Sequence, residues 1–265
     1  MKAHRTNLNE NQKQYLKLMY KFRFVSIPLL SMHKGISQAA VKRSLKTLED
    51  RGYVQRRFKP SYFKQNKPAS FSLNKQSIKY FKDNFTVNDS VLHTMYKNAS
   101  VADSFVQQSL DIYHIYINLK KLYRETFNIF TRAETAEFEE TFTSPQPNLY
   151  LNRKDPSEEL PNDYMLDIFT NVQLFVIKKR VDAYIQHYES GDWDEGAYPE
   201  ILLVCDDSRI EQTIQEYIEN SKDNAFIEDD DLIFLTTTAK ALLDSKSINT
   251  NIWSDPYSPE NLINL

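Results

Sequence analysis

The chain of 265 residues contains four glycines and one cysteine, and each scarcity excludes a class of chemistry. With Gly35, Gly52, Gly191 and Gly196 placed as they are, no glycine-rich phosphate cradle of either common kind can be written, so the usual nucleotide-enzyme readings lose their main device. Cys205 alone supports neither a zinc ribbon nor a disulfide framework, and a single thiol agrees with a reducing compartment. No apolar run reaches the length of about 18 residues that a membrane span needs. Met1-Lys2-Ala3-His4-Arg5 leads into polar sequence rather than an apolar signal core, so a cytoplasmic protein without a membrane partner is expected. The five histidines, His4, His33, His93, His114 and His187, have no metal-ligand spacing. The acidic stretches Glu134 to Glu140 and Glu228 to Asp231 read as solvated surface, without the spacing of a calcium loop. Neither metal nor cofactor is expected. Cys205 ends an apolar run and should be buried and inert.

What is present is an uneven distribution of charge. The formal net charge of −3 conceals 19 Lys and Arg against 4 Asp and Glu in residues 1–85, and 14 against 32 in the remainder. A cationic module joined to an acidic one points to nucleic-acid binding by the first. With 41% hydrophobic and 26% charged residues, the chain fits one large or two small globular domains.

Apolar residues at helical spacing predict a first helix over 9–24 through Tyr15, Leu16, Leu18, Met19 and Phe22. Ser26-Ile27-Pro28 opens a short second helix that Gly35 ends, and Ser37 caps a third that Gly52 ends. On the third helix Val41, Leu45 and Leu48 face inward. Strands from Tyr53 to Phe58 and from Ala69 to Leu73 flank a basic loop at 59–68, and a fourth helix runs from Asn74 to Phe85. Three helices followed by a basic hairpin is the order of a winged helix-turn-helix, here residues 1–85. Residues 86–126 are read as a connecting long helix, with the amphipathic pattern at about 99–126 through Val101, Phe105, Ile112, Tyr116, Leu119 and Tyr123, and a mixed α/β domain is predicted over 127–253. In that domain strands are expected at 127–131, 136–142, 147–151, 164–169, 201–205 and 232–236, with helices at 174–190 and 208–220 and an acidic loop from Lys154 to Asp163. Residues 254–265 read as a tail. The fold class expected is therefore α+β.

The outer face of the third helix carries Gln38, Lys42 and Lys46 with Arg43 beside them, and Ser37 at its start. Amide and small side chains near the N-terminus of such a helix suit base edges in a major groove, and cations suit phosphates. Arg56, Arg57, Lys59, Lys64 and Lys67 would add charge from the wing, with Tyr62 and Phe63 at its tip free to touch sugars or wedge into the groove. Gln38 and Arg43 are the candidates for base contact, the lysines for the backbone.

Further along stand Ile112-Tyr113-His114-Ile115-Tyr116-Ile117-Asn118-Leu119, Pro147-Asn148-Leu149-Tyr150-Leu151, Tyr164-Met165-Leu166-Asp167-Ile168-Phe169, Lys179-Arg180-Val181-Asp182-Ala183-Tyr184-Ile185 and Tyr198-Pro199-Glu200-Ile201-Leu202-Leu203-Val204. Following the basic helices, these segments resemble the replication-relaxation proteins of plasmids and other mobile elements. They are more distantly similar to relaxases built on a restriction-endonuclease-like domain. Catalytically competent relatives of that nuclease fold join a Pro-Asp to an (Asp/Glu)-x-Lys, so that two carboxylates hold a divalent metal and a lysine activates water. Laid on this chain, Asn148 stands for the first carboxylate, Asp167 for the second and Phe169 for the lysine. The resemblance thus implies a nuclease-like domain without catalysis. A displaced site would need Asp155 or Asp163 together with Lys178 or Lys179.

The expectation drawn from all this is a sequence-specific double-stranded DNA-binding protein of a plasmid or mobile element. It would act in replication, mobilisation or transcriptional control, as a homodimer, with a relaxase or replication protein as a further partner. A metal-dependent DNA-nicking enzyme is the alternative, and a protein-interaction scaffold the second alternative.

Overall fold

The computed structural model describes residues 8–85, 87–138, 142, 144–155, 163–193, 196–228 and 231–265. The chain divides into two compact units, Met1–Tyr113 and His114–Leu265.

In the first unit, α1 (Glu10–Phe22) starts at Asn9, whose side chain accepts from the Gln12 N–H while Gln12 reaches back to the Asn9 N–H, a reciprocal capping box. A two-residue strand β1 (Val25–Ser26) leads into α2 (Ile27–Lys34), with Pro28 in the first turn. Gly35 follows at φ 64°, the left-handed conformation that ends α2 and turns the chain toward α3 (Gln38–Asp50). Next come β2 (Val54–Arg57), α4 (Pro60–Lys64), β3 (Ser70–Leu73), α5 (Lys75–Asn84) and α6 (Asp89–Met95). The helix α7 (Asp103–Tyr123) carries the boundary between the units.

The three strands form an antiparallel sheet in the order β1-β3-β2, with Val25 opposite Phe71 and Val54 opposite Leu73. Val41, Leu45 and Leu48 of α3 are buried with Leu16 and Met19 of α1 and Leu30 of α2. Removing these apolar faces from water contributes roughly 1.5–3 kcal/mol per large side chain and holds the helices in place. The 59–68 segment, expected as an open loop, carries the five-residue helix α4, started by Pro60. The strand β1 and the helix α6 were not expected from the sequence.

The second unit holds the remainder of α7, then β4 (Phe127–Thr131), α8 (Arg132–Thr135), β5 (Leu149–Arg153), β6 (Asp163–Phe169), α9 (Leu174–Ser190) and β7 (Glu200–Cys205). It closes with α10 (Ser208–Ala225), β8 (Phe234–Thr238), α11 (Ala239–Asp244), β9 (Trp253–Asp255) and β10 (Ser258–Ile263). These seven strands form one mixed sheet in the order β10-β9-β8-β7-β6-β5-β4, and the α+β class is as expected. The centre, β6-β7-β8, is parallel, and the flanking pairs are antiparallel. Both faces of the centre are buried. Met165, Phe169, Ile201 and Leu203 pack with Ile177, Val181 and Tyr184 of α9 and Ile214 and Ile218 of α10. The alternate residues Leu166, Ile168, Leu202 and Val204 are fully buried as well, which explains why β7 reads as an unbroken apolar run.

Three expectations fail here. The strand predicted at 136–142 is not formed at 136–138, which is a turn closing α8, and 139–141 lie outside the described residues. The supposed tail at 254–265 contains β10, the outermost strand of the sheet. The helix predicted to stop at 220 runs on to Ala225, where Phe226 at φ 55° ends it. Most of the acidic loop from Lys154 to Asp163 lies outside the described residues.

Candidate functional site

Helix α3 combines one apolar and one cationic face. Val41, Leu45 and Leu48 are at most 1% exposed, whereas Gln38, Lys42, Arg43 and Lys46 are exposed. The Ser37 hydroxyl accepts from the Ala40 N–H at 3.3 Å and fixes the helix start. Gln38, Lys42 and Arg43 make no ion pair or side-chain hydrogen bond among the described residues, so their polar groups face water. Lys46 differs. Its ammonium lies 2.7 Å from Asp50 and 3.7 Å from Glu49 on the same helix, so it brings less net charge than expected.

The remaining expected contacts divide into two sets. Lys64 and Lys67 are exposed and make no ion pair among the described residues, and Arg56 is exposed with its guanidinium 5.2 Å from the Phe58 ring centre. Arg57 and Lys59 are already engaged. Both pair with Asp103 at the start of α7, Arg57 at 2.5 Å and Lys59 at 2.6 Å. Tyr62, expected at an exposed tip, is buried at 8% and donates its hydroxyl hydrogen to the same carboxylate at 2.8 Å. Its ring meets Phe58 edge-on, so it belongs to the core of this unit and is not a groove wedge. Phe63, at 80% exposed, is the aromatic side chain that remains available. Lys59 and Tyr62 hold the Asp103 carboxyl well below the usual carboxylate range. Nothing in the sequence around Asp103 signals this role, because an acid in the first turn of a helix is ordinary.

In the second unit, Asp167 is 0% exposed. Its carboxylate accepts from the Asn148 N–H at 2.9 Å and from the Tyr184 hydroxyl at 2.8 Å, and it pairs with the Arg180 guanidinium at 2.9 Å. The Asn148 side-chain oxygen accepts from the Ile168 N–H at 2.9 Å, clamping the start of β5 to β6. Phe169 lies in the core against α9 and α10. The three positions that the resemblance would lay on a nuclease site therefore hold a buried ion pair, a strand clamp and a core ring. Arg180 and Tyr184 were missed as partners of Asp167, although their spacing of four residues on an expected helix places them on one face.

The groups of the displaced alternative do not converge either. Asp163 accepts from the Tyr150 hydroxyl and the Asn152 amide, Asp155 is exposed, and the Lys178 ammonium lies 4.5 Å from the ring centre of Tyr217. Among the described residues, no group of three or more His, Cys, Asp and Glu side chains is placed to hold a metal ion. Cys205 is fully buried at the end of β7, and burial pushes its thiol up to about 12, away from nucleophilic use. His187 is a buried histidine bonded to the Tyr198 hydroxyl at 2.8 Å, and His114 is half-buried on α7. Among the described residues, no helix is long and apolar enough to cross a membrane.

No protein-family model matches the chain, and comparisons with curated proteins and with solved structures gave no match.

Proposed function

We propose that the first unit is a winged helix-turn-helix that binds double-stranded DNA, with α3 entering the major groove. The observation that carries this reading is the outer face of α3, where Gln38, Lys42 and Arg43 stand exposed and unengaged above a fully buried apolar face. Gln38 and Arg43 are suited to base edges, and Lys42, Lys64, Lys67 and Arg56 to phosphates. An excess of Lys and Arg as large as that of residues 1–85 costs self-repulsion, which a polyanion relieves. We further propose that the protein acts as a homodimer, since one reading helix covers only a short site. The setting we propose is replication, mobilisation or transcriptional control on a plasmid or mobile element, following the resemblance to replication-relaxation proteins.

The second unit is proposed to be a nuclease-like scaffold that binds without cutting. The support for this is that Asp167 already has Arg180, Tyr184 and the Asn148 N–H as partners, leaving its oxygens engaged. One carboxylate so engaged is a poor hard-cation ligand.

Gel shifts test the main claim. Neutralising about six phosphates gives a log–log salt slope of roughly −5, so affinity for duplex DNA should fall steeply from low to physiological salt. Replacing Gln38, Lys42 and Arg43 together with alanine should abolish it. Binding that ignores salt, or survives the triple replacement, would remove the claim. Magnesium- or manganese-dependent nicking of supercoiled plasmid that disappears in an Asp167→Asn variant shown to be folded by circular dichroism would overturn the non-catalytic reading.

A further inference from the structure

The grouping of Arg57, Lys59 and Tyr62 around Asp103 has the chemistry of an oxyanion site. Three donors from β2 and the segment after it, one guanidinium, one ammonium and one phenol, converge on the two oxygens of a single carboxylate at 2.5–2.8 Å. An anion held by a guanidinium, an ammonium and a hydroxyl is how proteins hold phosphate. The Asp103 side chain is 45% exposed and Lys59 48%, with Arg57 at 17%, so water reaches the carboxylate from one side and an incoming anion can approach the same donors. Beside it opens a cavity of about 590 Å³ lined by Gln55, Arg56, Asn98, Ser100 and Asp103 itself, which leaves room for a second anion to enter. Arg56, Arg57 and Lys59 line it together with Asp103, so the lining keeps an excess of positive charge.

We propose that Arg57, Lys59 and Tyr62 form a binding site for one phosphate of a nucleic-acid backbone, and that Asp103 occupies it in the free protein until that phosphate displaces it. The proposal rests on the DNA-binding reading and adds a regulatory element to it. Asp103 lowers affinity for any duplex by holding two cations of the wing. A phosphate that enters exchanges one anion for another at the same three donors, so the exchange itself costs little. No covalent bond is made or broken. The start of α7 is then released from the wing, so that binding alters the contacts of that helix.

The test uses the full chain and a fluorescein-labelled mixed-sequence duplex read by anisotropy. Asp103→Asn should tighten binding about three- to tenfold and steepen the log–log salt slope by about 1–2, as the freed cations meet phosphates. Asp89→Asn, the same charge change at the exposed partner of Lys82, should alter affinity less than twofold. Adding Lys59→Ala to Asp103→Asn should remove most of the gain. Asp103→Ser, which keeps a residue that starts helices well, serves as a second variant, with circular dichroism melts confirming folding. Inorganic phosphate at millimolar concentration should raise the melting temperature of Asp103→Ser and not of the parent if the site accepts a free oxyanion. A gain confined to the duplex assigns the site to the backbone.

Folded Asp103→Asn and Asp103→Ser proteins that bind no tighter than the parent, or an equal gain from Asp89→Asn, would overturn the proposal and leave DNA binding intact. Failure of the parent and both Asp103 variants to bind any duplex at low salt, with no effect of phosphate, would overturn both readings. Failure to bind a duplex combined with a phosphate effect would remove the DNA reading alone.

Discussion

Asp167 is a charged residue buried inside the second unit. It alternates with Met165 and Phe169 on the face of β6 that α9 and α10 cover, so a charge there lies in the densest part of the second unit. It is tolerated because Arg180 neutralises it and Tyr184 and the Asn148 N–H occupy its oxygens. Removing it leaves the Arg180 guanidinium, itself 21% exposed, facing an apolar core. Asp167→Ala should therefore cost about 3–5 kcal/mol of stability in urea unfolding. A loss below about 1 kcal/mol would show that the pair is dispensable. Glu200 at the start of β7 makes a second prediction. Burial pushes its carboxyl from 4.5 up to about 7, with Asp255 adding to the shift and Arg153 opposing it. The folded protein thus holds a proton that the unfolded chain releases near pH 4.5. This contribution to stability is full below pH 4.5 and is lost as the pH rises through about 7. Thermal melts of Glu200→Gln and the parent should agree near pH 4.5 and diverge toward pH 8, where the variant is the more stable. A constant offset across that range would show that Glu200 titrates normally.

At the scale of elements, what could be read from sequence was what local chemistry specifies. Helix α3 announces itself through Ser37, the spacing of Val41, Leu45 and Leu48, and the glycines on either side, and the structure places each as the pattern requires. Elements set by distant partners were not legible. The strand β1 is two residues long and exists because Val25 and Ser26 pair with β3, some 45 residues on. The strand β10 lies at 258–263, in sequence with no apolar alternation, because only one neighbour, β9, is needed to form it. Helix α8 did leave a signal. Thr131 and Glu134, three apart, form a capping box, a pattern present in the sequence between the strands expected at 127–131 and 136–142. The exposed polar face of α3 was legible for the same reason as the helix. The Asp103 contacts were not, because Arg57 and Asp103 are 46 residues apart and meet only through the tertiary fold. The turn between α2 and α3 offers a test at this scale. Gly35 sits at φ 64° with nothing within 4 Å of the position a Cβ would take, so Gly35→Ala adds backbone strain without a clash. A loss of about 1 kcal/mol is expected, and less for Gly35→Asn, which tolerates the left-handed region. A loss of several kcal/mol in either would mean that the turn is constrained by more than its backbone conformation.

At the scale of the whole molecule, the change of charge and the division into compact units fall at different places. The basic excess ends near residue 85, which invites a boundary there, yet the compact first unit runs to Tyr113. The reason lies in what the later residues cover. The Arg23 guanidinium donates to the Asn98 side chain at 2.9 and 3.1 Å and to the Thr94 carbonyl at 3.0 Å. The Phe22 ring stacks on Tyr113 at 4.5 Å, and Phe24 meets Phe105 edge-on at 6.3 Å. Composition could not report this, because α6 and the first part of α7 are neither basic nor strongly apolar, and they matter through which rings they cover. A fragment of residues 1–85 would expose Phe22 and Phe24, both at most 5% exposed in the full chain, and leave the Arg23 guanidinium without these acceptors. Exposing two such rings costs on the order of 3–6 kcal/mol, a large part of the stability of a small domain. The fragment 1–85 should therefore melt at least 10 °C below the fragment 1–113, since about 1 kcal/mol shifts a domain of this size by roughly 4–8 °C. It should also bind duplex DNA more weakly when warmed, despite carrying 19 of the 20 Lys and Arg of the longer fragment. Equal melting of the two fragments would move the boundary back to where the charge changes sign, and would make residues 86–113 a connector instead of part of the first unit.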